Sequence, residues 1–172
     1  MLICALTLAW GLAACGGSSS GTVSATRYAK AFCEAVRPFE TDLSGLSSAF
    51  SRDAGGTPAR QKAALEKFLG ALAGDVRTAV GKLKAAGTPD VSKGAAVASS
   101  ITDAFSRVGV ELSSASQQAR SLPTTSLTTL TTAADRLLAG VQTALAGIGS
   151  SSTARSPALE AAARKVSVCQ AS

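Results

Sequence analysis

Side chains that could do acid–base or nucleophilic chemistry are few in this chain and do not form catalytic pairs. The 172 residues include no histidine, so no imidazole can act as a general base or bind a metal ion. The 11 Asp and Glu residues are scattered, and Asp103 with Arg107 four positions later has the spacing of an ordinary solvent-exposed ion pair. Serine and threonine are abundant, but no base accompanies them. We therefore expect no enzymatic activity, no cofactor and no metal site.

One cysteine lies in a sequence that directs lipid attachment. An apolar run from Leu2 leads into Leu12-Ala13-Ala14-Cys15-Gly16, and an apolar segment that ends in small residues is what a signal peptidase recognises. The stretch resembles the lipobox of bacterial lipoproteins. The resemblance implies that residues 1–14 are a signal peptide and that Cys15 receives a diacylglycerol thioether and becomes the acylated first residue. An ordinary secretory signal and an uncleaved anchor are the alternatives, although a spanning helix needs about 20 apolar residues.

Two further cysteines are candidates for a disulfide bond. Residues 15–24 form a Gly/Ser-rich tether, and the bundle domain that follows covers residues 25–172. Cys33 and Cys169 fall on the apolar stripes of the first and last predicted helices. If those helices run parallel from the same end, a rise of 1.5 Å per residue puts both cysteines at about the same height. We expect a structural disulfide, which persists in an exported protein. A pair of redox-active thiols is the alternative, but the Cys-x-x-Cys spacing is missing.

Helices must position all of these residues. Alanine and leucine dominate, and only Tyr28 and five phenylalanines supply aromatic side chains to the mature chain, which predicts an all-α domain. Prolines at 58, 89, 123 and 157 separate segments whose apolar residues recur every three or four positions. Thr57 and Ser156 precede two of these prolines and are expected N-caps. We expect an up-down four-helix bundle with a short fifth C-terminal helix that reaches Cys169. The proline spacing also fits a helical repeat, but the segments share no repeat signature.

The positive charge is concentrated in the second predicted helix. The chain carries a net charge of +6. Its largest local excess comprises Arg60, Lys62, Lys67, Arg77, Lys82 and Lys84. The simplest interpretation is a solvated helix face. The alternative is contact with anionic lipid headgroups or acidic wall polymers, where each basic residue near a charged membrane contributes about 1 kcal/mol. Nucleic acid is not an expected partner outside the cell membrane.

Several short motifs recur together in a known group of proteins. They are the lipobox, the Gly/Ser tether, Tyr28-Ala29-Lys30-Ala31-Phe32-Cys33, Gly87-Thr88-Pro89-Asp90-Val91 and Val168-Cys169-Gln170. Together they resemble the small secreted lipoproteins of actinobacteria. The resemblance implies a helical fold that is lipid-anchored at the outer face of the cell membrane, and it implies no particular biochemistry.

These observations predict a lipid-anchored, extracytoplasmic helical bundle with a non-catalytic binding or structural role in the cell envelope. The alternative is a carrier of an apolar small molecule or lipid. A continuous apolar pocket of several hundred Å³ would favour the carrier, since ligand pockets of that class have roughly this size. A sealed core with an exposed apolar patch would favour a protein partner, whose identity the residues do not indicate.

Overall fold

The computed structural model describes residues 21–150 and 156–170, and helices account for most of them. The elements in chain order are β1 (Thr22–Val23), α1 (Ala25–Asp53), α2 (Pro58–Ala85), β2 (Thr88–Pro89), α3 (Gly94–Arg120), α4 (Leu127–Ser150), α5 (Pro157–Ala163) and a 3-10 turn (Ser167–Cys169). The all-α class is therefore confirmed. The predicted signal peptide, residues 1–14, lies outside the described residues.

Proline and a capping hydroxyl begin two of the helices. Pro58 opens α2, and the hydroxyl of Thr57 accepts a hydrogen bond from the backbone N–H of Arg60 at 3.4 Å. Ser156 caps α5 in the same way, accepting from the N–H of Leu159 at 3.4 Å. Both predicted N-caps are confirmed. The missing N–H of proline costs nothing at the first helical position, which leaves the hydroxyl to satisfy the next free donor.

The centre of the core is an antiparallel pair formed by α2 and α3. Most of the buried apolar side chains in the described part of the chain belong to these two helices, among them Leu65, Leu69, Leu72, Val76, Leu83, Phe105, Val108 and Leu112. The start of α2 lies beside the end of α3, because Arg120 Nε is 2.9 Å from Glu66 Oε1. Small residues bring the two backbones close: a Cβ added at Gly109 would lie 3.3 Å from Val76 Cγ1.

The other long helices pack on this pair from outside. α1 contacts α2 along its length, and two aromatic contacts join α1 to the core: Phe50 with Phe68 on α2 and Phe32 with Phe105 on α3, with ring centroids 5.5 and 6.3 Å apart. α4 packs on α3 and, over a shorter stretch, on α2. Consecutive helices are thus neighbours, and the predicted closure of four helices into one bundle stays a prediction.

A short backbone pairing joins the start of the domain to the α2–α3 connection. Thr22 and Val23 pair in parallel with Thr88 and Pro89, and the N–H of Asp90 donates to the carbonyl of Val23 at 2.7 Å. The sequence assigned residues 22–24 to the flexible tether, and it predicted no strand. The difference arises because Gly87, at a φ of 82°, lets the connection pass close to the backbone of residue 21.

The last helix is shorter than the periodicity predicted. α5 ends at Ala163, and a tighter turn follows, in which the N–H of Val166 donates a hydrogen bond to the carbonyl of Ala163. Val166 then takes an extended backbone conformation, which suits a β-branched residue and buries its side chain. Cys169 therefore lies in the 3-10 turn rather than in the helix, and the expectation of a helix reaching Cys169 was wrong.

Substitution of two glycines should separate a packing constraint from helix propensity. Gly94 is buried at the start of α3, and a Cβ there would overlap the carbonyl oxygen of Pro89. We predict that Gly94→Ala lowers the free energy of unfolding by about 1–3 kcal/mol, as overpacking does. The control is Gly81→Ala in α2, where nothing lies within 4 Å of the added Cβ, and which should gain about 0.5–1 kcal/mol. Urea unfolding measures both, and a neutral Gly94→Ala would show that β2 is free to move.

Candidate functional site

Two open grooves run along the two sides of α3. The α3–α4 groove has a volume of about 820 Å³, and the α2–α3 groove has a volume of about 470 Å³. Ser106 and Val110 line both, because they stand on the ridge between them. Val110 is 66% exposed, the largest value among the exposed bulky apolar side chains of the described residues. We call the two grooves with this ridge the α3 face.

Small side chains account for the depth of these grooves. On α4 the wall of the α3–α4 groove is made by Gly140, Thr143 and Ala144, none of which projects far toward α3. In the α2–α3 groove Gly109 contributes no side chain, so Val76 and Val80 of α2 form its apolar wall. Helices packed through small residues leave the side chains of a ridge such as Val110 without a covering partner. The result is a surface open to solvent in which apolar groups are interrupted by polar side chains such as Ser106, Ser113 and Ser114.

Charged residues border the α3–α4 groove on one side only. Asp103, Arg107 and Glu111 follow each other at four-residue intervals on α3, so they form a line along the helix. All three are exposed. The carboxylate of Asp103 accepts a hydrogen bond from Ser99 Oγ at 3.2 Å. The predicted Asp103–Arg107 ion pair does not form within 4 Å, which leaves Arg107 and Glu111 directed to solvent at the groove edge.

The structure does not gather the six basic residues predicted for an anionic surface into one patch. Arg60, Lys62 and Lys67 lie in the first third of α2, and Arg60 and Lys67 border a cleft shared with Asp53. Lys67 Nζ is 3.5 Å from Asp53 Oδ2. The other three are placed elsewhere: Arg77 lines the α2–α3 groove, and Lys82 and Lys84 lie in the last turn of α2. Because each residue turns the helix by 100°, the six basic side chains also spread over both flanks of α2.

A smaller pocket lies beside Tyr28 at the junction of α1, α3 and α5. Its volume is about 170 Å³, and its walls are mainly apolar, with Phe32, Ile101 and Leu159 among the lining residues. Tyr28 also lines it, is 1% exposed, and has a buried hydroxyl with no hydrogen-bond partner in the described part of the chain. Burial raises the pKa of that hydroxyl, which keeps it protonated and able to donate.

Two carboxylates interact across the α1–α2 interface. Burial raises the pKa of Asp75, and the negative charge of Asp42 on α1 raises it further. A carboxyl with a raised pKa is a feature of acid–base sites. The chain has no histidine, and within residues 21–150 and 156–170 no group of three His, Cys, Asp or Glu side chains could hold a metal ion. The repulsion between the two carboxylates is an electrostatic cost of the fold.

The predicted cysteine pair is brought together, and the predicted lipidation site is not described. Cys33 Sγ and Cys169 Sγ lie 2.05 Å apart, with 5.3 Å between the Cα atoms, which is bonding geometry. Cys15 lies outside the described residues. Among the helices that the structure does describe, none combines the length and apolar character that crossing a membrane requires.

The α3 face and the Tyr28 pocket were both missed from sequence. A signal for the first existed, because Val110 falls out of phase with Val108 and Leu112, which belong to the apolar stripe of the third predicted helix. For the Tyr28 pocket, the sequence shows Tyr28 only as part of a motif, which does not indicate a cavity. Comparison with protein-family models, with curated proteins and with solved structures gave no match for this chain.

The burial of Asp75, together with the negative charge of Asp42, should make stability depend on pH. Because the pKa of Asp75 is higher in the folded than in the unfolded chain, its favourable contribution is complete below the unfolded pKa. That contribution is lost as the pH rises through the folded value. We predict that Asp75→Asn is more stable than the wild type at neutral pH by about 0.5 kcal/mol, a typical surface effect. The gain should shrink toward zero at about pH 3.

The companion variant is Asp42→Asn, which removes the repulsion and leaves the burial of Asp75 unchanged. It should give a smaller gain at neutral pH than Asp75→Asn gives. Urea unfolding at the two pH values measures both variants. A gain for Asp75→Asn that is the same at both pH values would contradict the assignment.

Proposed function

We propose that this protein is a lipid-anchored, extracytoplasmic lipoprotein with a non-catalytic binding role in the cell envelope. In this proposal Cys15 carries the lipid, residues 1–14 are the removed signal peptide, and the helical domain is an up-down four-helix bundle with α5 docked on α1. The α3 face is the binding surface, and its partner is a protein of the envelope.

The observation that supports a protein partner is the openness of the α3 face. A single exposed valine is ordinary on a protein surface. Val110 differs because apolar grooves continue it on both sides, and Asp103, Arg107 and Glu111 border it. Apolar patches with a polar rim mark protein contact sites. Small-molecule sites, in contrast, enclose most of the ligand surface.

Export to an oxidising compartment agrees with the position of the cysteine pair. We propose that Cys33 and Cys169 are bonded in the mature protein. The bond joins α1 to the 3-10 turn across 136 positions of the chain. Closing a loop of that size contributes about 5 kcal/mol by the entropy that it removes from the unfolded state. The 7-residue α5 is too short to be stable alone, so its docking on α1 depends on this link.

The carrier of an apolar small molecule or lipid stays the second candidate, and the size of the Tyr28 pocket limits it. About 170 Å³ is close to the size of a cavity that holds one benzene ring. An acyl chain needs several times more space. The pocket therefore favours a small aromatic or aliphatic molecule over a lipid, with the unpaired hydroxyl of Tyr28 as the one polar group to be satisfied.

A photo-crosslinking experiment in intact cells tests the proposed function. A photoreactive amino acid replaces Val110 in the full-length chain, and in a matched control it replaces Ser47, which is exposed on α1 away from the grooves. We predict a specific protein adduct from position 110 and none from position 47. Equal adducts from both positions, or none from position 110, would contradict binding at the α3 face.

The proposed lipid anchor at Cys15 can be tested in the same cells. The wild-type protein should partition into the detergent phase, since each buried CH₂ of an acyl chain contributes about 0.8 kcal/mol. Cys15→Ala should move the protein to the aqueous phase and weaken the adduct at position 110, because the anchor concentrates it at the membrane. A Cys15→Ala protein that stays in the detergent phase would refute lipidation at this residue.

A further inference from the structure

We propose that the end of the domain formed by β1, β2 and the adjoining helix termini faces the membrane and contacts anionic phospholipid headgroups. We call it the β1–β2 end; it comprises residues 22–34 and 82–94. The inference rests on the lipid anchor of the proposed function, and it adds which surface lies on the bilayer and what that surface recognises.

The length of the tether selects this end. Cys15 precedes Thr22 by seven residues, and Thr22 is fixed to the fold by its pairing with Thr88. At about 3.4 Å per residue this stretch reaches about 24 Å at most. α2 has 28 residues and is therefore about 42 Å long. If the opposite end stood on the bilayer, Thr22 would be farther from the membrane than the tether can span.

The β1–β2 end carries the cations that such a contact needs. Its basic residues are all exposed, and they are Arg27, Lys30, Lys82, Lys84 and Lys93. Its acidic residues are Glu34, which pairs with Lys30 at 3.3 Å, and Asp90. Arg27 and Lys30 border a cleft of about 400 Å³ between the start of α1 and the end of α2, which Glu34 also lines.

Three of these lysines lie at helix ends, on either side of the connection between α2 and α3. Lys93 adopts the left-handed conformation at a φ of 58°, as the last residue before α3 begins. It thus follows the turn that begins at β2. Lys82 and Lys84 occupy the last turn of α2, where a basic side chain also complements the negative end of the helix.

The opposite end of the domain serves as an internal control. It holds a similar excess of basic residues, including Arg52, Arg60, Lys62 and Lys67. Lys67 pairs with Asp53, and Arg120 pairs with Glu66. Charge alone therefore does not distinguish the two ends. In the anchored protein the length of the tether distinguishes the two ends. The lysines of one end can therefore be compared with those of the other within one molecule.

Lysine acylation footprinting tests this orientation. The lipidated full-length protein is placed in phosphatidylglycerol-containing vesicles and in phosphatidylcholine vesicles, and acylation of each lysine is counted by mass spectrometry. We predict that Lys82, Lys84 and Lys93 react about fivefold more slowly in the anionic vesicles, the effect of one headgroup contact for each basic residue. Lys62 and Lys67 should react at the same rate in both, and added salt should remove the difference.

The outcomes separate failure of the orientation from failure of the anchor. Protein that does not stay with either vesicle type has lost the anchor, which refutes the proposed function itself. Anchored protein in which Lys62 and Lys67 are slowed as much as Lys82 and Lys84 would overturn the orientation and indicate unoriented attraction to the anionic surface. Anchored protein with equal rates in the two vesicle types would overturn the headgroup contact.

Discussion

The close antiparallel contact between α2 and α3 is the constraint on which the rest of the structure depends. It is made by small residues, with Gly109 against Val76 and Gly70 against Ser116, whose hydroxyl donates to the carbonyl of Glu66. A chain with few aromatic side chains gains burial by bringing backbones together rather than by filling space with rings. α1 and α4 then pack on the outside of this pair, and few of their side chains are fully buried.

That arrangement also explains why the α3 face is open to solvent. Because α2 and α4 pack on the two sides of α3, its remaining ridge, with Ser106 and Val110, stays exposed between two grooves. Residues 106–113 are about 18–29 Å from the start of α3 at 1.5 Å per residue. In the proposed orientation, with the β1–β2 end on the bilayer, the α3 face would therefore point sideways, clear of the headgroups.

Local features of this fold were predictable from the sequence, and long-range features were not. The helices, the caps at Thr57 and Ser156 and the all-α class follow from propensity and from hydroxyl–proline pairs, which act within one turn. The phase of Val110 indicates an exposed side chain, but the grooves beside it were not predictable, because they depend on how α2 and α4 pack against α3. The division of the α2 cations between two ends was likewise missed, because Arg60 and Lys84 lie at opposite ends of the same helix. The end of α5 was misjudged because tertiary burial of Val166 overrides helical periodicity.

Hydrogen exchange on the native protein tests most directly whether the α2–α3 pair carries the fold. If it does, the backbone amides of residues 69–83 and 104–119 should exchange only by global unfolding. Those of α4 and α5 should exchange earlier, by local opening. Slow exchange that extends equally to α4, or opening of α2 or α3 at a lower free energy than the helices packed on them, would contradict the account.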